Sequence, residues 1–449
     1  MDSTEKINLG SRINELPDEI LHHVLSFLDM KEVVDTALVS TRWRYLWIHV
    51  KTLNFSFSFW KGRGGFNDFV EEVFLLRDGS SANKFSLVGL NLDNLNKWLI
   101  MVSRKHIPQV ALTIFSPEKA KELTPLLFTS RVEVLDIISP WINAAGWPKY
   151  SIHLPNAICC APHLKTLNLN SVRLPNGDSK REVTLKCLVL ENLILEDCYY
   201  SHLISFNISI PQLKILTVKN IDTELVKSVG SCKIKISTPN LTILWLKCCS
   251  FDNYVIENCD SLVSAKVEFA SGTLLGDDRK ASLRCFKNVT RLELSNWTRE
   301  ICLEFQDMLD QMPDIFCNLR SLKLVKWHQP CFIHVSASLL SRSINIEYLV
   351  LELIQGNSNP TIDSEDIMKL VSFQCMFDHL KSVEILYFTE CQVEMKLLES
   401  LLKNAKSLEE LTVVVNSSTN TRVRLKECAR KIYAFPKASS RLLTFVLPP

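Results

Sequence analysis

The side chains that could do chemistry fall in small local groups. His22 and His23 are adjacent, Cys331 and His334 are spaced like two metal ligands, and Asp277-Asp278 sits in SGTLLGDDRK. Cys159-Cys160 and Cys248-Cys249 are adjacent pairs. A structural zinc ion needs four ligands arranged as a tetrahedron. No second pair follows Cys331 and His334 at a suitable distance, and no Cys-x-x-Cys occurs. Successive residues of a strand point to opposite faces, so neither cysteine pair can converge on one ion. Adjacent helical residues diverge by about 100°, which makes His22-His23 a poor chelate, and both are expected on the solvent side of their helix. Asp277-Asp278 reads as solvated loop. The glycine-rich KGRGGFN, residues 61–67, lacks phosphate-loop spacing and a following Lys-Ser/Thr, and also reads as a loop. G-x-S-x-G, H-E-x-x-H, Walker and dinucleotide motifs are missing. The expectation is no catalytic residue, no metal and no cofactor. A dispersed catalytic site stays open as an alternative, and its sign would be perturbed acids clustered in a folded cleft.

Composition points the same way. The net charge is +2 over 449 residues, with the basic residues scattered, so no global field favours nucleic acid or a lipid surface. No apolar stretch reaches the roughly 18 residues that span a bilayer. The start, MDSTEKINLGSRINELPDE, is polar and acidic and does not read as a signal peptide. The chain is expected in the nucleus and/or cytoplasm, with its 15 cysteines as reduced thiols. The sequons at Asn240 and Asn296 then carry no meaning.

The elements that must position any site are of two kinds. Residues 1–11 read as a disordered tail. Ile13 to Val50 then reads as three short helices. In the first, Pro17 suits the first turn, Asp18 and Glu19 favour its positive end, and Ile20, Val24, Phe27 and Leu28 share a face beside Leu21 and Leu25. Asp29 with Glu32 forms a capping box for the second, and Ser40 caps a third, in which Val39, Trp43, Leu46, Trp47 and Val50 fall on one side. Forty residues bury little surface alone, so such a unit needs a neighbour.

From about residue 100 the chain repeats L-x-x-L-x-L. The pattern is weak at Ile107 and clear at Val132, Leu164, Leu185, Leu213, Leu241, Leu262, Val289, Leu319, Ile346, Leu380 and Leu408. Ten intervals separate Val132 from Leu408, a mean of about 28 residues, near the upper end for leucine-rich repeats. Each repeat supplies a short strand with one buried face, and the strands stack as a parallel-stranded solenoid with a concave face. The intervals run from 21 to 34, so the solenoid is expected to be irregular. The ninth position, often Asn or Cys, is here Val172, Leu193, Ile221, Cys249, Trp297, Trp327, Ile354 or Phe388. Those turns must be closed by packing and backbone bonds. Between the two parts, VKTLNFSFSF alternates like a strand that caps the first edge, and LNLDNLNKWLIMVSRK reads as an amphipathic helix.

LPDEILHHVLSFLDMKEVVDTALVSTRWRYLW, Leu16 to Trp47, resembles an F-box of the plant type. The repeats resemble the leucine-rich array that follows F-boxes in the same family. CMFDHLKSVEILYFTECQVEMKLLESLLKNAKSLEELTV and IYAFPKASSRLLTFV resemble the FBD module that closes many such chains. The resemblance implies an α/β fold with a three-helix F-box at 12–50, a connecting N-terminal cap at 51–100, leucine-rich repeats at 101–370 and an FBD-like module at 371–449. The functional implication is a non-catalytic adaptor. The F-box would dock a SKP-type linker and, through it, a cullin–RING ubiquitin ligase, while the repeats present a target protein. The docking positions it implies are Leu16, Pro17, Ile20, Leu21, Leu25, Leu28, Trp43, Leu46 and Trp47.

Period two places alternate residues of each strand on the exposed face. There, Trp245, Lys247, Lys266 and Arg291, with Glu268 and Glu293, form a candidate target-binding patch of an aromatic anchor amid mixed charge. The competing reading is that Trp245 is covered by a loop or the chain end and the charges merely pair with one another. A scaffold whose F-box no longer engages the ligase is the second functional reading. A nucleic-acid reader is disfavoured by the charge balance.

Overall fold

A computed structural model describes residues 13–60, 63–77, 79–90, 93–115, 121–139, 152–200, 202–219, 232–248, 254–269, 285–297, 316–327, 336, 339–340, 342–353, 377–390, 392–415, 422–440 and 442–447. The expected tail at 1–11, Cys331 with His334, and Asp277-Asp278 lie outside these residues. The chain divides into two compact units after Ile204.

The first unit opens with helices α1 (Asp18–Leu25) and α2 (Met30–Asp35) and, after two single 3-10 turns, α3 (Leu46–His49). The capping box forms as the sequence predicts. The Asp29 carboxylate accepts from Lys31 N at 2.8 Å, and Glu32 accepts from Asp29 N at 3.1 Å. Ser40 caps nothing. Its hydroxyl is buried without a partner, and the chain enters α3 through the 3-10 turn Trp43–Tyr45, so the third helix is shorter than expected.

Strand β1 (Thr52–Ser56) follows at once, then α4 (Arg63–Leu76), β2 (Lys84–Leu90), α5 (Leu95–Arg104) and β3 (Gln109–Phe115). From Arg63 onward KGRGGFN is thus helix and not a loop. Phe66, Val70, Val73 and Phe74, at helical spacing and all buried, draw the backbone into α4 from Arg63 onward. Beyond β3 come β4 (Lys121–Glu122), α6 (Pro125–Thr129), β5 (Val134–Ile138), β6 (Ile152–His153), β7 (Thr166–Asn170), β8 (Glu182–Leu185) and β9 (Asn192–Glu196). β1, β2, β3, β5, β7 and β9 pair in that order, each parallel to the next. The ladder therefore starts at residue 52, in the edge strand that the alternation of VKTLNFSFSF predicts, and it continues through β2 and β3 across the stretch expected to be a connecting cap. Phe55 and Phe85 are buried in it where later repeats use leucine.

One repeat is shifted. LKCLVL at Leu185 fits the pattern, but the ladder strand is β9, from LENLIL at Leu190. Leu188 and Val189 are exposed, whereas Leu190, Leu193 and Leu195 are buried. Two overlapping leucine patterns compete here, and the second keeps every leucine in the core.

The second unit comprises β10 (Ser205–Ile208), β11 (Ile215–Lys219), β12 (Lys233–Ser237), β13 (Ile243–Cys248), β14 (Tyr254–Glu257), β15 (Ser264–Phe269), β16 (Arg291–Trp297), β17 (Ser321–Trp327), β18 (Tyr348–Leu353), β19 (Ser382–Phe388), α7 (Gln392–Asn404), β20 (Glu410–Val415), α8 (Arg422–Tyr433) and β21 (Leu443–Leu447). β11, β13 and β15 to β21 form one parallel ladder, while β10, β12 and β14 form a second sheet. β19, β20 and β21 continue the ladder from β18, so the C-terminal segment is built into the repeats. Along the strands the leucine positions are buried and most alternate positions are half-buried or exposed, Thr217, Ser295 and Val325 being buried. This is the mixed α/β, parallel-stranded fold of a leucine-rich-repeat solenoid behind a helical F-box.

The repeats are tied at two levels. Val172, at an apolar ninth position, is fully buried, and its carbonyl accepts from Tyr199 N at 2.8 Å, the backbone closure expected there. A second device escapes the leucine pattern. Asn240, Asn288, Asn318 and Asn345 each precede a repeat's first apolar residue. Their Nδ2 groups donate to the carbonyls of Pro211, Asp260, Lys287 and Cys317 at 2.8–3.4 Å, clamping each repeat to the one before.

Candidate protein-docking surfaces

The helical unit divides its apolar residues in two. Leu21, Leu25, Met30 and Val33 are buried, as are Trp43, Leu46, Trp47 and Val50. Outside lie Ile20 and Val24 on α1, then Phe27 (74% exposed), Leu38 (89% exposed), Val39 and Tyr45. Ile20, Val24 and Phe27 recur at helical spacing, so they share one side. Among the described residues nothing covers this row.

The nine implied docking positions therefore separate. Leu16, Pro17 and Ile20 are exposed and Leu28 is half-buried. Leu21, Leu25, Trp43, Leu46 and Trp47 turn inward and shape the face from beneath. Apolar spacing alone does not say which of two apolar sides meets solvent, which is why Val24, Phe27, Leu38, Val39 and Tyr45 escape it.

The segment bearing Leu16 and Pro17 is pinned by two residues of the RWR motif. Trp43 Nε1 donates to Asn14 Oδ1 at 2.7 Å. The Arg42 guanidinium donates to the Leu16 carbonyl at 2.6 Å, to the Asn14 carbonyl and to the Asp18 carboxylate. Trp43 is in this way both core and clamp. The histidines diverge, as their adjacency requires. His23 lies edge-on to Phe27 at 5.0 Å between centroids. His22 is half-buried against His49 rather than facing solvent, with Nε2 unpartnered.

The same helices are bolted to the ladder. Asp29 Oδ2 accepts from Ser56 N at 2.6 Å, and Asn54 donates to the carbonyls of Ser26 and Leu28. Burial pushes the Asp29 carboxyl above the usual range, against the lowering pull of the Lys31 and Ser56 amides. Arg77, almost fully buried, donates to the carbonyls of Trp47 and Val50. Its guanidinium is brought down to about 10 by that burial and stays charged at neutral pH.

On the exposed face of the second unit, register places Thr217, Trp245, Lys266, Glu293 and Lys323 side by side on successive strands. Lys219, Lys247 and Glu268 form the next row. The Lys219 and Lys266 ammonium groups, one from each neighbouring strand, stand 3.5 and 4.6 Å from the Trp245 ring centroid. Lys247 pairs with Glu268 at 3.0 Å and Lys266 with Glu293 at 2.8 Å. So Trp245, Lys247 and Lys266 are brought together and two of the charges do pair. Arg291 stands apart, one row along, between Ser264 and Ser321.

Burial raises the thiols of Cys187 and Cys198, to about 11 and about 12. Among the described residues no group of three or more His, Cys, Asp or Glu side chains is placed to hold a metal ion, and no helix is long and apolar enough to cross a membrane.

Residues 13–54 match the F-box domain family, and residues 80–439 match the At1g61320/AtMIF1 leucine-rich-repeat domain family. F-box/LRR-repeat protein At3g59200 of Arabidopsis thaliana is 27% identical over 476 aligned positions, which cover 96% of this chain and 86% of the relative. F-box/LRR-repeat protein At3g59210 of the same plant is 28% identical, over 90% of this chain and 88% of the relative. A third Arabidopsis relative, At5g50270, carries the name of an FBD-associated F-box protein and is 25% identical over 90% of this chain and 96% of its own length.

Proposed function

The chain belongs to the At1g61320/AtMIF1 leucine-rich-repeat family and carries an F-box ahead of its repeats, and from that premise we propose that it is a substrate-recognition adaptor of an SCF-type cullin–RING ubiquitin ligase. Family membership makes it a binding protein and not an enzyme. In this reading the F-box docks a SKP-type linker, the repeats capture a target protein, and the last three ladder strands with α7 and α8 constitute the FBD-like module. The observation that carries it is the exposed apolar row Ile20, Val24 and Phe27, with Leu38 and Val39, on a helical unit whose own core is already full. Water-exposed apolar side chains in register on a helix are what a partner helix or groove covers.

Target capture falls to the exposed face of the ladder, with Trp245, Lys247, Lys266 and Arg291 as the contributing residues. The half-buried indole supplies a rigid anchor and the lysines a polar rim. The test of the ligase half is calorimetric titration of the full chain with a recombinant SKP-type linker. Leu16→Ala with Pro17→Ala should remove about 2 kcal/mol or more per anchor and leave the repeats folded. Unchanged affinity would sink the assignment.

A further inference from the structure

The exposed face of the second unit changes character at its last strands. Across β13 to β16 it carries charges that pair, Lys247 with Glu268 and Lys266 with Glu293. On β21 the outward positions are apolar instead. Register sets Leu443 beside Glu410 and Phe445 beside Thr412, and the two are 63% and 44% exposed. Tyr348 on β18 lies in the Leu443 row, beyond Glu410 and Ser382, and is 48% exposed. The core of the same strands is filled from the other side, where Leu349, Val383, Leu411 and Val413 are buried. Outward apolar groups of this kind are surface that a partner covers.

The acids between them say which partner. Glu410 stands between Ser382 and Leu443, Glu384 is next to Thr412 in the Phe445 row, and Glu352 is next to Leu386. None of the three makes an ion pair or a side-chain hydrogen bond among the described residues. The cations that lead into β17 and β19 are already used, because Arg320 and Lys381 both pair with Glu347, at 2.9 and 2.7 Å. Exposed apolar groups interleaved with unpaired carboxylates complement a segment that is apolar and basic, and they repel nucleic acid and anionic lipid. The geometry also favours the face over the sheet edge. Leu443 N donates to the Glu409 carbonyl, so in a parallel pair the Thr444 carbonyl points away from β20, to the open edge. There it already accepts from the Tyr433 hydroxyl at 2.9 Å.

We propose that the β18–β21 face docks a segment of the target protein in which apolar residues alternate with Lys or Arg. Its apolar side chains pack on Tyr348, Leu443 and Phe445, and its cations meet Glu352, Glu384 and Glu410. Four strands about 4.8 Å apart make this one patch, about 14 Å across. The inference rests on the exposed face being the target-capture surface and extends that surface beyond Trp245.

The experiment uses the full chain and a fluorescein-labelled peptide of repeating Leu-Lys-Ser, with Leu-Gln-Ser, Ser-Lys-Ser and Leu-Glu-Ser peptides as comparators. The Leu-Lys-Ser peptide should bind at least about tenfold tighter than each comparator, and more weakly as salt rises. Leu443→Ser with Phe445→Ser should cost it about tenfold or more, as should Glu352→Lys with Glu384→Lys. Glu352→Gln with Glu384→Gln should fall between, and it carries the test if thermal melts show that the reversal unfolds the chain. Leu-Gln-Ser or Ser-Lys-Ser binding as tightly as Leu-Lys-Ser overturns the proposal, as does indifference to either pair of substitutions. A dimer in sedimentation that Leu443→Ser with Phe445→Ser dissociates also overturns it, since a second copy would then cover the face. Proximity labelling separates the two levels. Partners kept by Leu443→Ser with Phe445→Ser but lost with Trp245→Ala and Arg291→Glu remove this extension and leave the capture surface standing. Partners unchanged in both variants remove the capture surface as well.

Discussion

The guanidinium of Arg77 donates to the carbonyl of Val50 at 2.5 Å from a site almost sealed from water. Val50 ends the F-box helices and Arg77 follows α4, so one buried cation closes the seam between docking unit and ladder. With its second bond, to Trp47, it also satisfies carbonyls left open at the end of α3.

Replacing that cation should loosen the first unit. Arg77→Met keeps the stem but strands both carbonyls, and a loss of about 3 kcal/mol is expected. Urea denaturation followed at the first unit's tryptophans measures it. A loss under about 0.5 kcal/mol would show that water replaces the guanidinium freely.

The division of the docking positions predicts two kinds of variant. Ile20→Asp, on the outer face, should abolish linker binding with the melting temperature unchanged. Trp47→Ala should instead unfold the helical unit, at about 3–5 kcal/mol. Calorimetry and differential scanning on the same samples distinguish them. A stable Trp47→Ala that merely fails to bind would place the indole in the interface after all.

Truncation at Ser372 should cost solubility and lower the thermal midpoint. It strips β19 from β18, whose Leu349 and Leu351 are buried against the ladder. A repeat array needs its terminal unit to cover the last apolar face. A truncated chain as soluble and as stable as the full one would mean that the C-terminal strands are a detachable addition.

Glu347 gives a pH signature. Its carboxyl is held below the ordinary glutamate value by Lys381 foremost, 2.7 Å away, with Arg320 at 2.9 Å assisting. A depressed acid contributes stability above its unfolded-state value and loses it as the pH falls through the folded one. The destabilisation caused by Glu347→Gln should therefore be present at pH 7 and fade below about pH 4.5. Thermal midpoints of both proteins across pH 3–8 decide it, and a constant gap would contradict the ion-pair account.

Much of this was legible in the leucines. A buried strand face must be apolar at alternate positions, so the repeats from Val132 onward announce themselves, and Trp245, Lys266 and Glu293 could be placed side by side before any coordinates. The pattern failed where chemistry was shared. Phe85 fills a leucine site and concealed β2, whereas the alternation in VKTLNFSFSF had already marked β1. LKCLVL and LENLIL overlap, and only packing chooses between them. The seat of Trp43 depends on Asn14, and the Trp47 carbonyl on Arg77, partners that no local window contains. The asparagine clamps were invisible for a simpler reason, since one polar residue ahead of each repeat resembles any loop.

The shared carboxylate of Asp29 has a mechanical consequence. It begins a helix and ends a strand at once, so twisting the F-box against β1 means breaking the cap of α2 as well. The protein has no wrist at this joint. Whatever grips the helices therefore grips β1 as well, as a handle grips the base of a blade.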